Sequence, residues 1–214
     1  MLQIERIKPT YFEDSVCEHS DVWLKTLQVE PGERIQIQAP SGSGKTSLTH
    51  FLYGLRKEYT GQILFDGVAL RSMDADSLAD LRREKLAIVF QDLRLFPEPT
   101  LRENFQLKRQ LTDFHPSPTI TEWAKRLGIH HRLDTPAKLC SYGEQQRASI
   151  IRALLQPFRW ILLDEPFSHL DDHNAQKALE LILEESERKG AAVVLADLEI
   201  VTNYPSTRLL RLLA

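Results

Sequence analysis

The chain begins with two-residue alternation of apolar and polar positions. Residues 2–7 alternate, residues 22–29 are broadly apolar, and residues 34–38 alternate around Ile35 and Ile37. That period predicts three strands, each with one face against a core. Pro31-Gly32 predicts the turn between the last two. Over residues 46–55 the apolar spacing becomes helical. Residues 61–67 read as a short strand ending in a turn, 77–86 as a charged amphipathic helix, and 87–90 as a short buried strand.

The middle of the chain has a different texture. Thr100-Leu-Arg-Glu103 and Thr119-Ile-Thr-Glu122 both match a capping box, which predicts two helix starts. His115-Pro-Ser-Pro118 between them reads as a stiff linker, and no β-rich segment falls within 101–132. Beyond it, a helix is expected over 143–155, a continuous apolar strand over 160–163, a long helix over 172–189, and strands over 191–196 and 208–213. Continuous apolar strands are buried on both faces, as in parallel sheets covered by helices. The expectation is one α/β domain spanning 1–214. A mostly parallel sheet forms its core (about 1–92 and 134–214), the N-terminal β region is antiparallel, and a helical lobe (about 93–133) is inserted.

Composition narrows the function classes. Lys+Arg total 27 against 30 Asp+Glu, a net charge of -3, which argues against a broad nucleic-acid-binding surface. A hydrophobic fraction of 42% with 27% charged residues excludes wholesale disorder and collagen. No run of eighteen apolar residues is present, so no bilayer span is expected. Met1-Leu-Gln-Ile-Glu-Arg6 lacks an apolar secretory core, and Cys17 and Cys140 have no metal-ligand spacing. Two free thiols in a reducing cytoplasm are expected.

Ala39-Pro-Ser-Gly-Ser-Gly-Lys-Thr46 follows a predicted strand and opens a predicted helix, the setting a phosphate-binding loop needs. Consecutive backbone N–H groups wrap phosphate oxygens there, and the helix N-terminus adds partial positive charge. Ser41, Gly42, Ser43, Gly44, Lys45, Thr46 and Ser47 form the candidate nucleotide-binding set. Lys45 would carry its ammonium to the β- and γ-phosphates, and the Thr46 hydroxyl would face Mg²⁺. Ala39 stands where the pattern usually has its first glycine. The competing reading is a glycine-rich turn before an ordinary helix.

Asp164 and Glu165 end the apolar strand of Trp160-Ile-Leu-Leu-Asp-Glu-Pro166. In an open α/β sheet, ligands sit at that end. Asp164 is a candidate Mg²⁺ ligand, and Glu165 a candidate for orienting or deprotonating an attacking water. Two solvated surface acids are the competing reading.

Leu139-Cys-Ser-Tyr-Gly-Glu-Gln-Gln-Arg147 resembles the signature sequence of the ATP-binding cassette (ABC) ATPases, whose usual form is Leu-Ser-Gly-Gly-Gln. Val89-Phe-Gln91 resembles that family's Q-loop, and Phe167-Ser-His-Leu-Asp171 its D-loop. With the phosphate loop and the acidic strand, the five motifs stand in family order and span nearly the whole chain. Phe90-Gln-Asp-Leu-Arg-Leu-Phe-Pro97 with Thr100-Leu-Arg-Glu-Asn104 is most similar to the lipoprotein-release, cell-division and macrolide-export group.

The resemblance implies a P-loop NTPase that binds ATP with Mg²⁺ and pairs head to tail with a second cassette, identical or paralogous. Ser141 and Gly143 would reach the γ-phosphate bound by the partner, and Asp171 would cross the interface. Gln91 would sense Mg²⁺ or water and relay nucleotide state to the helical lobe. The catalytic set so implied is Glu165, Gln91 and Lys45, and the metal set Thr46, Gln91 and Asp164. Tyr11 or Phe12 would stack on adenine. The activity implied is ATP hydrolysis driving a separate integral membrane permease, from the cytoplasmic face, through a groove near residues 93–104. A soluble, non-transport ABC ATPase acting as a switch is the alternative, and a metabolite phosphoryl transferase a third reading.

Two departures matter. Cys140 replaces the signature leucine and Tyr142 its first glycine. The family also places a histidine after the strand that follows the acidic strand. Leu198 occupies that position in one register and Ala196 in a shifted one, and no histidine follows His173. His169 and His173 read as surface or interface residues. Slow hydrolysis is the expectation.

Overall fold

The computed structural model describes residues 1–213. Nine strands are assigned: β1 (Leu2–Pro9), β2 (Thr26–Val29), β3 (Arg34–Gln38), β4 (Tyr59–Phe65), β5 (Val68–Ala69), β6 (Leu86–Val89), β7 (Trp160–Asp164), β8 (Ala192–Asp197) and β9 (Arg208–Arg211). The α-helices are α1 (Lys45–Leu52), α2 (Ala75–Glu84), α3 (Leu101–Arg109), α4 (Pro118–Arg126), α5 (Tyr142–Leu154) and α6 (Asp172–Arg188).

Two sheets result. The first is antiparallel, in the order β2-β1-β4-β5, and the second is fully parallel, in the order β6-β7-β8-β3-β9. The burial of β6 and β7 is continuous, so neither strand has a solvent face. One apolar cluster joins the antiparallel sheet and α1 to one face of the parallel sheet through Ile35, Leu48, Phe51, Phe65 and Trp160. A second covers the other face and runs through α5 and α6 into Leu101, Phe105, Ile120 and Trp123 of α3 and α4. The helical insertion therefore shares a core with the α5–α6 face of the sheet.

Register sets the functional edge. Asp164 lies opposite Ala196, and Ala196 opposite Ile37. The residues following β3, β6, β7 and β8 therefore leave the sheet at one end, the end at which ligands bind in such sheets.

Two expectations require correction. The strand expected over 22–29 begins only at Thr26. Val22 and Trp23 are fully buried outside any strand, and Leu24 takes a left-handed φ of 59°. Burial accounts for the apolar run, and the turn at Leu24 breaks the strand. The capping box expected at Thr119 is absent. α4 begins at Pro118 with Ser117 at its N-cap and no side-chain cap. Proline's fixed φ is pre-organised for the first helical position, so the helix starts ahead of Thr119. The box at Thr100 and Glu103 forms as expected.

Candidate functional site

The loop between β3 and α1 is held from behind. Trp23 Nε1 donates to the Ser43 carbonyl oxygen at 3.0 Å, and Phe12 packs edge-on against the Trp23 ring. Gly44 sits at φ 88°, and a Cβ there would come within 2.9 Å of Trp23 Cζ2, so only glycine fits. No side chain caps α1. Among the described residues no protein acceptor takes the N–H groups of Gly44, Lys45 or Thr46, and the buried Ser43 hydroxyl has no partner. Unspent donors converging at a helix N-terminus form an anion cradle.

Lys45 spans this cradle and the acidic strand end. Its Nζ lies 2.9 Å from Asp164 Oδ1 and 2.5 Å from Glu165 Oε1. Burial opposes its charge, but hydrogen bonds to Glu165 and Asp164 prevail and hold its pKa above the usual lysine value. Asp164 is 1% exposed, and its Oδ2 accepts from Thr49 Oγ1 at 2.9 Å. Thr49 follows Lys45 by one helical turn and so shares its face, a periodicity signal the motif reading missed.

Glu165 takes a left-handed φ of 47°, unusual for a residue with a side chain. Its N–H donates to the Ala196 carbonyl oxygen, and its own carbonyl oxygen accepts from Gln146 Nε2 and Ser168 Oγ. These three bonds fix the conformation that turns the carboxylate toward Lys45. Beside it, burial first and Glu165 next push the Asp197 carboxyl pKa upward.

The cleft in front of these groups has a volume of about 340 Å³. Tyr11, Phe12, residues of the loop, Gln91, Glu165 and Leu198 line it. Thr46 Oγ1 donates to Gln91 Oε1 at 3.3 Å. These two neutral oxygen groups and the Asp164 carboxylate are hard donors of the kind Mg²⁺ takes, usually alongside phosphate oxygens and water. Tyr11 is exposed at the rim, its hydroxyl 2.7 Å from Ser47 Oγ, with Arg56 Cζ 6.0 Å from its ring centroid. Phe12 faces inward, onto Trp23 and Gly44. Leu198, at 42% exposure, places an apolar side chain on the cleft wall.

Ser141, Gly143 and Asp171 do not line this cleft. Ser141 caps α5 in a complete capping box with Glu144, and Asp171 caps α6. Glu144 in turn pairs with Arg132 at 2.9 Å. Tyr142 reaches back into the subunit, and its ring meets His169 edge-on at 4.3 Å.

The family model described as ABC transporter matches residues 25–168. The chain is 32% identical over 199 residues to YvcR of Bacillus subtilis, an uncharacterised ABC transporter ATP-binding protein, covering 91% of this chain and 77% of that one. It is 32% identical over 186 residues to LolD of Shewanella denitrificans, a lipoprotein-releasing system ATP-binding protein, covering 86% and 80%. It is 38% identical over 174 residues to MacB of Marinobacter nauticus, a macrolide export ATP-binding/permease protein, covering 79% of this chain but 27% of that longer one. Among solved structures, a dimeric bacterial ABC transporter cassette superposes with a TM-score of 0.84 at 26% identity, covering 99% of this chain and 95% of that one. A dimeric post-hydrolysis state of an ATP-binding cassette, bound to ADP and Pi, superposes at 0.80 and 26%, covering 93% and 88%.

Proposed function

Because the chain belongs to the ABC transporter ATP-binding family, we propose that it binds and hydrolyses ATP in a pair of cassettes that drives a separate integral membrane permease. The observation that carries this reading is Lys45, which joins the unspent donors of the loop to both carboxylates of the acidic strand. Measured ATP binding by the chain, abolished by Lys45→Ala, tests it. Undiminished binding by that variant would overturn it.

In this reading Ser41 through Ser47 wrap the phosphates. Lys45 exchanges its carboxylate partners for the β- and γ-phosphate oxygens, which frees Glu165. Glu165 then orients a water on the γ-phosphorus and takes its proton as the bond to the bridging oxygen breaks. Thr46, Gln91 and Asp164 would hold Mg²⁺, which supplies charge neutralisation to the phosphates. Tyr11 is the aromatic we assign to adenine, since its ring is exposed at the rim, and Phe12 supports it from beneath. Ser141 and Gly143, which do not line their own subunit's cleft, serve the partner's nucleotide, and Asp171 lies at the same interface.

Leu198 is the reason hydrolysis is slow in this account. It offers no donor where a histidine would contact the γ-phosphate. Loss of one such contact costs about 10² to 10³ in rate in comparable roles. Glu165 is present, so turnover is reduced without being lost.

No helix among the described residues is long and apolar enough to cross a membrane. We take the permease to be a separate chain and this one to act from the cytoplasmic face of the bilayer. We take residues 93–133 as the lobe that relays motion from Gln91. The cleft between that lobe and the core, lined by Phe90, Phe96 and Leu107, is the docking surface.

A further inference from the structure

Glu144 stands where the usual signature has an uncharged glutamine. It is the third residue of α5, 8% exposed, and closes the capping box on Ser141. Its Oε2 accepts the Ser141 backbone N–H at 2.7 Å, and its own N–H donates to Ser141 Oγ at 3.3 Å. The Ser141 N–H is thereby spent, whereas among the described residues the Ser141 hydroxyl donates to no acceptor. The other oxygen of Glu144, Oε1, accepts from Arg132 Nε at 2.9 Å, and His131 Nε2 lies 3.5 Å from it. Burial opposes the charge on Glu144, but the bonds from Ser141 and Arg132 prevail and hold its pKa below the usual carboxylate value.

A capping box does not need the arginine. α3 carries the same motif at Thr100 and Glu103 with both bonds made, and among the described residues no cation pairs with Glu103. Arg132 therefore answers a need special to α5. It comes from the short 3₁₀ turn His130–Arg132 that follows α4, so the helical lobe supplies the cation. Glutamine fills the third position of such a box as glutamate does, so the difference between them here is charge. The partly positive N-terminus of α5 is where the reading above sets the partner's γ-phosphate. A bare carboxylate bonded to Ser141 would repel that phosphate within a screening length, about 10 Å at 0.1 M salt. Arg132 on Oε1 makes the pair neutral.

We propose that Arg132 is a positioning residue for the partner's nucleotide: it cancels the Glu144 carboxylate, so that Ser141 keeps its capping geometry while the N-terminus of α5 stays open to a phosphate. Arg132 acts through Glu144 and itself touches no nucleotide. The carboxylate fixes the Ser141 backbone, the arginine removes the repulsion that this brings, and the Ser141 hydroxyl is left to donate. Arg132 has this role only if Ser141 and Gly143 serve the partner's nucleotide, as proposed above.

The test measures ATP-dependent pairing of the full chain by light scattering, in a Glu165→Gln background, for the parent, Arg132→Met, Glu144→Gln and the double variant. Arg132→Met should raise the ATP concentration for half-maximal pairing about threefold to tenfold, the effect of one nearby uncompensated charge. Glu144→Gln keeps the box and leaves Arg132 in excess, so it should lower that concentration by a similar factor. The double variant, neutral again, should lie within about twofold of the parent. Raising the salt from about 0.05 M to about 0.5 M should shrink the spread among the four. ATP binding by the unpaired chain should be the same in all four, because neither residue lines its own cleft. Arg132→Lys, which retains the charge, should pair like the parent and guards against misfolding of Arg132→Met. Weaker pairing by Glu144→Gln, or a double variant no better than Arg132→Met, would make the pair a structural clamp and overturn the inference while the transporter reading stands. Equal pairing by all four, or a spread indifferent to salt, overturns it as well. No ATP-dependent pairing by any of the four, each shown to bind ATP, removes the head-to-tail reading and this inference with it.

Discussion

The Tyr142 hydroxyl donates to the Gln91 carbonyl oxygen at 3.2 Å. The residue that departs most from the signature pattern thus binds the backbone of the residue that contacts Thr46. Tyr142 is 46% exposed and stands at the N-terminus of α5, so the bond ties the signature to the Gln91 segment within one subunit. In the pair proposed above, closure on a partner's nucleotide would move both.

Removing that bond should ease closure. An exposed hydrogen bond contributes about 0.5–1 kcal/mol, so Tyr142→Phe should lower the ATP concentration for half-maximal pairing roughly two- to fivefold. Light scattering of the chain in a Glu165→Gln background measures this. An unchanged or raised concentration would show that the bond does not restrain pairing.

Glu165→Gln should retain ATP and lose turnover by about 10² to 10⁴, the usual contribution of a positioned base. The amide keeps the shape of the carboxylate beside Lys45, so the loop should stay intact. A stable ATP-loaded pair should accumulate on size exclusion. Ordinary steady-state hydrolysis by this variant would remove Glu165 from its assigned role.

Leu198→His should raise turnover. The side chain already lines the cleft, so an imidazole there meets the phosphates without rearrangement of β8. The gain expected is about tenfold to a hundredfold, most of one lost polar contact. Steady-state ATPase rates of the two proteins with their permease decide it. No gain, together with an ordinary wild-type rate, would reject the account of Leu198.

Stability should fall with acid through a residue far from the nucleotide. His115 is buried against Trp123 at 4.8 Å, with Glu185 3.6 Å and Arg188 3.4 Å from its Nε2. Burial first, then Lys189, pushes its pKa down to about 4 from an ordinary 6.5. Between those values the unfolded chain holds the proton and the folded chain does not. Stability therefore rises with pH across that window and is lost as pH falls from about 6.5 toward about 4. The loss attributable to this group is up to about 3 kcal/mol. Thermal unfolding of wild type and His115→Leu at pH 7, 6, 5 and 4.5 measures it. Equal slopes for the two proteins would dismiss His115 as the source.

The sequence alone carried the alternation of strand and helix, the phosphate loop, the acidic strand end and the order of the motifs. These are local signals: side-chain period, turn chemistry and residues fixed by their neighbours in the chain. It misread residues 22–25 because burial and strand both draw on apolar residues, and it misread Thr119 because Pro118 starts the helix first. Tertiary structure alone decided which of Tyr11 and Phe12 is exposed and that Trp23 braces the loop at Ser43. Only the folded chain, too, sets Thr49 against Asp164 and Arg132 against Glu144. Each of these depends on which residues distant in sequence come together, governed by how the sheets stack and where burial removes water. No short stretch of chain encodes such contacts, whereas a loop that wraps phosphate must be built from consecutive residues and is legible for that reason.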